Sequence, residues 1–241
     1  MSSSALRLPP GWRLAAFDEI GSTNDEAKRL AAGGVAEGQV VWAKRQSAGR
    51  GREDRSWDSA DGNLFCSILL RPGGPVPELS FAAGIAAAEA LFDGGVSLKW
   101  PNDVLLNGRK VAGILLEGSA DWMVIGIGIN LVSHPEGTPF PATSLQAETG
   151  RIEQPAAILE NLCMRLASWY RLWKGNGFAP VREAWLGYAH PPGTELIART
   201  PTSTTKGRFK DLDEDGTLIL ETPDGRLHRV AAGDVYFAPR E

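Results

Sequence analysis

Gln46-Ser-Ala-Gly49-Arg50-Gly51-Arg52-Glu53-Asp54-Arg55-Ser56-Trp57 crowds three arginines onto a glycine-flanked loop. Glycine lets successive backbone N–H groups turn toward one point, and guanidinium forks add bidentate contacts to carboxylate or phosphate oxygens, so the loop suits an anion. Its spacing is neither the G-x-x-x-x-G-K-[ST] of a P-loop nor the G-x-G-x-x-G of a Rossmann turn. Taken alone, the same composition also suits a solvated surface segment or one that contacts RNA. Residues 39–44 ahead of the loop and 63–70 behind it read as strands, which suspends the loop between two strands.

Upstream, Ile20-Gly21-Ser22-Thr23-Asn24-Asp25-Glu26 opens a helix, with Thr23 and Glu26 at the offset of a capping box. Such a helix start is also where hydroxyls and free N–H groups converge on a polar ligand. Downstream, the alanine-rich residues 79–92 read as a helix packed on a sheet. Asn107-Gly108 between apolar runs is a type I′ hairpin signal, so the flanking segments fold back on one another. Lys110 enters the apolar run 111–116, where a lysine either snorkels out or meets a buried anion. In residues 122–131 the alternating Gly126 and Gly128 leave room for a ligand or a neighbouring backbone, or else mark a bulge or tight sheet packing. Ile158, Leu159, Leu162, Leu166, Trp169, Tyr170 and Trp173 mark a long amphipathic helix. From 194 to 237 short strands alternate with Asp213-Glu-Asp-Gly216 and Pro223-Asp-Gly225, the pattern of a small all-β barrel. The expected division is therefore residues 1–189 and 190–241.

A chain of 241 residues can bury roughly 70% of its unfolded surface, so it needs no staples. Cys66 and Cys163 are too few for a disulfide framework and read as buried free thiols. His134, His190 and His228 share no zinc-like spacing, and no structural metal is expected. A formal net charge of −4 opposes a role in coating nucleic acid, because that affinity depends on neutralising many phosphates. Neither the first ten residues nor any later run resembles a signal peptide or a membrane span, so a cytoplasmic location is expected.

Ser22-Thr23-Asn24, the loop from Gln46 to Trp57, Lys99-Trp100-Pro101-Asn102-Asp103, Arg109-Lys110-Val111-Ala112-Gly113-Ile114-Leu115 and Gly126-Ile-Gly128-Ile-Asn130 resemble, in order and approximate spacing, the biotin–protein ligase family. The resemblance implies an α/β catalytic domain like that of class II aminoacyl-tRNA synthetases, followed by an SH3-like β-barrel. It also implies two-step chemistry: biotin and ATP, with Mg2+, give biotinyl-5′-adenylate, and a lysine on the biotin carboxyl carrier domain of a carboxylase then takes the acyl group. By resemblance, Lys110 and Arg50 are catalytic, and Ser22, Thr23, Asn24, Gln46, Arg50, Gly51, Arg52 and Lys110 hold biotin. Arg52, Trp57, Asn102 and Asn130 face the nucleotide, Trp57 anchors a closing lid, and Asp103 orients the acceptor lysine.

Some relatives carry an N-terminal winged helix-turn-helix. The short stretch ahead of Ser22 leaves no room for one, and DNA binding is not expected. Pairing of two subunits through a sheet edge is open to this fold. Relatives commonly continue the loop as Gly-Arg-Gly-Arg-x-Gly-Arg, whereas Glu53-Asp54-Arg55 stands here. Aspartate tolerates left-handed angles, so the turn is expected to survive with Asp54 paired to Arg55. The competing readings are a lipoate- or octanoate-protein ligase of the same architecture and a non-catalytic binding module. The arginine loop with Gln46 favours biotin, and Lys110 with Arg50 favours catalysis.

Overall fold

A computed structural model of the chain describes residues 6–53, 55–74, 76–91 and 94–237. Seven strands form the large sheet: β1 (Arg13–Ile20), β2 (Gln39–Gln46), β3 (Leu64–Leu70), β4 (Val96–Lys99), β5 (Asp103–Leu106), β6 (Arg109–Gly118) and β7 (Met123–Ile129). Their order is β1-β2-β3-β7-β6-β5-β4, with β1 parallel to β2 and every other pair antiparallel. Helices α2 (Leu79–Leu91), α4 (Pro155–Asn176) and α5 (Ala179–Tyr188) pack together, with α2 and α4 lying on one face of this sheet. Helix α1 (Thr23–Ala32) covers part of the other, and α3 (Leu145–Thr149) is a short helix after β7.

Strand β3 lies between the two layers and is buried along its whole length, which is why its sequence reads as a nearly continuous apolar run. Leu64, Cys66, Ile68 and Leu70 join the core under α2 and α4, while Leu69 joins Ala27, Ala31, Val41 and Val124 under α1. The alanines of α2 keep that helix thin enough to be buried on nearly all sides. The Asn107-Gly108 turn forms as expected, with both residues at positive φ, 51° and 76°. The segment ahead of that turn is itself folded back at Trp100-Pro101-Asn102, so that β4 pairs with β5 and Asp103 begins β5 directly after the turn.

Strands β8 (Glu195–Arg199), β9 (Thr204–Leu212), β10 (Leu218–Glu221), β11 (Leu227–Val230) and β12 (Asp234–Phe237) form an antiparallel sheet in the order β11-β10-β9-β8-β12. Its apolar side, including Phe209, Leu218 and Val235, is continuous with the main core. Polar ties add to this contact: the Trp100 indole donates to the Gly216 carbonyl at 3.0 Å, and Lys99 Nζ donates to the Val235 carbonyl at 3.0 Å. The carboxyl-terminal sheet thereby presents β12 to the same edge that carries the arginine loop. Among the described residues no helix is long and apolar enough to cross a membrane.

Candidate active site

A cavity of about 230 Å3 opens between the start of α1, the arginine loop, β6, β7, the segment 135–142 and β12. One end is charged. Asp103 Oδ1 lies 2.5 Å from Lys110 Nζ, and its Oδ2 lies 2.8 Å from Lys99 Nζ. Burial alone would raise the Asp103 carboxyl, but the ammonium groups of Lys110 and Lys99 hold it below the ordinary carboxylate value. Two ammoniums against one carboxylate leave a surplus positive charge. Lys99 is spent on Asp103, the Val235 carbonyl and the face of Phe140 at 4.6 Å. Lys110 is the more exposed of the two lysines, with its amine 5.5 Å from the Trp57 ring, so the surplus faces the cavity there. Its backbone is pinned: Lys110 N donates to the Pro141 carbonyl and accepts, through its own carbonyl, from Thr143 N, each at 2.8 Å.

The other end is a chain of neutral hydrogen-bonding groups. Gln46 Oε1 accepts from Thr23 N at 2.8 Å and lies 3.0 Å from Thr23 Oγ1, while Gln46 Nε2 donates to Ser59 Oγ at 3.2 Å. Behind Thr23, the buried Ser67 Oγ is 2.8 Å from Thr23 Oγ1 and 2.5 Å from Asn24 Oδ1. Asn24 Nδ2 donates to Glu117 Oε2 at 2.7 Å, and Glu117 is paired with Lys28 at 2.7 Å and Arg50 at 3.3 Å. Burial pushes the Glu117 carboxyl up, but hydrogen bonds from Lys28 and Asn24 and the nearby Arg50 outweigh it and keep the group ionised.

Between the two ends, glycines make room. A Cβ on Gly126 would collide with the Asn24 amide, and one on Gly128 or Gly113 would collide with the Trp57 indole. The space left by the alternating glycines is therefore filled by two side chains of this chain, which corrects the expectation of a ligand, a backbone, a bulge or plain sheet packing. Trp57 sits across β6 and β7 as a cover, held by its N–H to the Gly49 carbonyl at 2.9 Å, and its indole N–H is buried without a partner.

Residues 16–130 match the profile of the Biotin/lipoate A/B protein ligase family, and residues 193–238 match the Biotin protein ligase C terminal domain. Over 234 residues the chain is 41% identical to the biotin--[acetyl-CoA-carboxylase] ligase of Paracoccus denitrificans, covering 90% of this chain and 97% of that protein. This chain belongs to the biotin/lipoate protein ligase family. It is 34% identical to the bifunctional ligase/repressor BirA of Bacillus subtilis, across 93% of this chain and 74% of that one. The solved biotin protein ligase of Aquifex aeolicus, in complex with biotin and ATP, superposes with a TM-score of 0.83 at 29% identity, covering 93% of this chain and 99% of that one. The fold is thus the α/β ligase fold with its SH3-like carboxyl-terminal sheet, as the motifs implied.

Within this family member the expected site residues converge: Ser22, Thr23, Asn24, Gln46, Arg50, Gly51, Arg52, Trp57, Asn102, Asp103, Lys110 and Asn130 all line the one cavity. Several also make contacts that the sequence did not indicate. Ser22, and not Thr23, caps α1, its hydroxyl accepting from Asp25 N, which frees Thr23 for Gln46 and Ser67. The Arg50 guanidinium, expected to be catalytic, makes a bidentate pair with Asp25 at 2.6 and 2.7 Å and reaches Glu117, so it clasps the loop to α1. Arg52 donates to the Gly233 carbonyl at 3.1 Å and lies 3.5 Å from Asp234, and Asn102 donates to the Ile114 carbonyl at 2.5 Å. Arg55 pairs with Asp234 at 3.1 Å. The left-handed residue of the loop is Glu53, with φ 54°; Asp54, and with it the expected pair to Arg55, lies outside the described residues.

Four participants escaped the sequence reading. Ser67 is the polar position within the apolar run of β3, and Glu117 lies near the end of β6. The segment 135–142 and Asp234 reach the site only through the tertiary fold.

Proposed function

We propose that this chain activates biotin with ATP to biotinyl-5′-adenylate and passes the biotinyl group to a lysine of a biotin carboxyl carrier domain. The observation that carries this reading is one cavity whose one end carries the surplus positive charge of Lys110 and Lys99 over Asp103, exposed at Lys110, and whose other end holds the neutral acceptors Thr23 and Gln46. A biotin-like acid fits that division, with its polar ring head at the neutral end, its apolar tail along β7 and its carboxylate at Lys110.

In the first step a carboxylate oxygen attacks the α-phosphorus of ATP, and pyrophosphate leaves. The reacting groups are both anions, so Lys110, held in place by Asp103 and by the backbone bonds of residues 141–143, lowers the barrier by offsetting their repulsion. Trp57, lying over Gly113 and Gly128, keeps water from the mixed anhydride. In the second step the neutral amine of the acceptor lysine attacks the acyl carbon and AMP leaves; Asp103 is the carboxylate beside that path. Arg50 serves as the clasp of the loop, and Arg52 with Asn102 and Asn130 borders the nucleotide. Among the described residues no group of three His, Cys, Asp or Glu side chains could hold a metal ion, and Asp103 and Asp234 already serve cations. Mg2+ would enter with ATP and supply further positive charge against its phosphates.

The same reading assigns residues 1–189 to catalysis and 190–241 to the carboxyl-terminal domain, in a cytoplasmic enzyme that does not bind DNA. The family also includes lipoate ligases, so the test is acid selectivity. Purified enzyme with Mg2+ should exchange labelled pyrophosphate into ATP when biotin is added and not when lipoate or octanoate is added. Exchange with lipoate alone would reverse the assignment.

A further inference from the structure

Three short contacts at the neutral end share two hydroxyl protons. Ser67 Oγ meets Asn24 Oδ1 at 2.5 Å and Thr23 Oγ1 at 2.8 Å, and Thr23 Oγ1 meets Gln46 Oε1 at 3.0 Å. Each hydroxyl has one proton to give, so one of the three contacts lacks a donor. Which one lacks it is decided at the far end of the chain. Glu117 is an ionised acceptor held by Lys28 and Arg50, so Asn24 must turn its NH2 toward Glu117 and its carbonyl toward Ser67. The Ser67 proton then goes to Asn24, and the Thr23 proton goes to the buried Ser67 Oγ, the shorter of its two contacts at 2.8 Å, because Gln46 Oε1 already accepts from Thr23 N whereas Ser67 Oγ would otherwise face a second lone pair; Thr23 has none left for Gln46. Gln46 cannot supply one, because its Oε1 is fixed there by Thr23 N–H and its Nε2 by Ser59. Two acceptor oxygens therefore converge at the cavity wall without a hydrogen between them.

We propose that Glu117, acting through Asn24 and Ser67, makes the Thr23 hydroxyl an obligatory acceptor, so that the site selects ligands whose ring head donates an N–H there. Ser67 and Glu117 are positioning residues that set specificity without touching the ligand. A cyclic urea meets the requirement, whereas a dithiolane or an alkyl chain has no donor to offer and leaves the two oxygens facing each other with no hydrogen between them. This inference rests on the biotin-activating reading and explains how a member of a family shared with lipoate ligases would tell the two acids apart.

The test uses biotin and its two cyclic carbamate analogues, in which one ureido N–H at a time is replaced by a ring oxygen, as substrates for pyrophosphate exchange. Wild-type enzyme should reject one of the two analogues by about 10- to 100-fold in kcat/KM relative to biotin. Ser67→Ala frees the Thr23 proton for Gln46, so the KM for biotin should rise by about tenfold with kcat nearly unchanged, and the discrimination against that analogue should fall to within about threefold. Glu117→Gln permits the whole chain to reverse, with Asn24 donating to Ser67, Ser67 to Thr23 and Thr23 to Gln46. It should therefore relax the same discrimination, and it carries the test if Ser67→Ala does not fold. A purely structural role would raise the KM for all three substrates alike. Discrimination that persists unchanged in the folded variants overturns the inference while leaving the ligase reading intact. No exchange with biotin by the wild-type enzyme overturns that reading and the inference with it.

Discussion

The two ends of the cavity solve opposite problems with different materials. At the charged end, Lys99, Asp103 and Lys110 are brought together by two successive tight turns within fifteen residues of chain, and a buried carboxylate is satisfied twice over. At the neutral end, Thr23, Asn24, Gln46, Ser67 and Glu117 come from α1, β2, β3 and β6, and their order is imposed by proton inventory. Charge placed by local geometry drives a reaction between anions; hydrogen bonds assembled over long range choose what reacts. The comparison predicts that damage to the first end appears in turnover and damage to the second in selectivity.

Lys110→Ala gives the sharpest break. Removing the cation opposite two reacting anions should lower kcat for adenylate formation by about 10²- to 10³-fold, equivalent to about 3–4 kcal/mol of barrier. The fold should survive, because Asp103 keeps Lys99 as its partner and is not left as a lone buried charge. Single-turnover formation of adenylate, compared with thermal unfolding of the same variant, checks both halves. A variant with wild-type turnover would remove the charged end from the chemistry.

Gly128→Ala sharpens the boundary between the ends. The added methyl would occupy the volume of the Trp57 indole, and that ring can yield only by lifting off β6 and β7. Overpacking of this kind costs about 1–3 kcal/mol. If Trp57 serves as a cover for the reacting groups, kcat/KM should fall by about tenfold and the arginine loop should be cut faster in limited proteolysis. Unchanged proteolysis with lowered activity would mean that the glycine serves the ligand directly.

Much of the charged end was legible in the sequence because its determinants are local. Asn107-Gly108 announces a type I′ turn, and the turn pairs Lys110 with Leu105 on the strand that begins at Asp103, which brings the lysine amine within reach of the Asp103 carboxylate. The loop from Gln46 to Trp57 was equally plain, since glycine and arginine are used there for backbone freedom and charge. The neutral end was half legible. Thr23 and Gln46 stood out by resemblance, but Ser67 sits on a strand covered on both faces, where periodicity no longer separates inside from outside. Nor could the partners of Arg50 be read from composition. Only the fold places Asp25 and Glu117 within reach of its guanidinium while it lines the cavity. Asp234 lies far along the chain from the loop it holds and carries no local signal at all.

The smallest effect distinguishes a clasp from a catalyst. Asp25 is held down to about 2 by the hydrogen bond from Arg50, with Lys28 helping against the opposing push of burial, whereas its ordinary value is 3.8. A carboxyl whose folded value is depressed stabilises the folded state fully above its unfolded value, and that contribution fades as pH falls from about 4 toward 2. Both partners are partly exposed, so solvent screening limits the pair to about 1 kcal/mol at neutral pH. Asp25→Asn should therefore unfold about 1 kcal/mol more easily than wild type at pH 7 in urea titrations, and the gap should close across that acidic window. At pH 7 its turnover should fall far less than that of Lys110→Ala, because Arg50 keeps Glu117 as a second anchor. A turnover loss as large as that of Lys110→Ala would instead return Arg50 to the chemistry and erase the contrast between a charged end that reacts and a neutral end that selects.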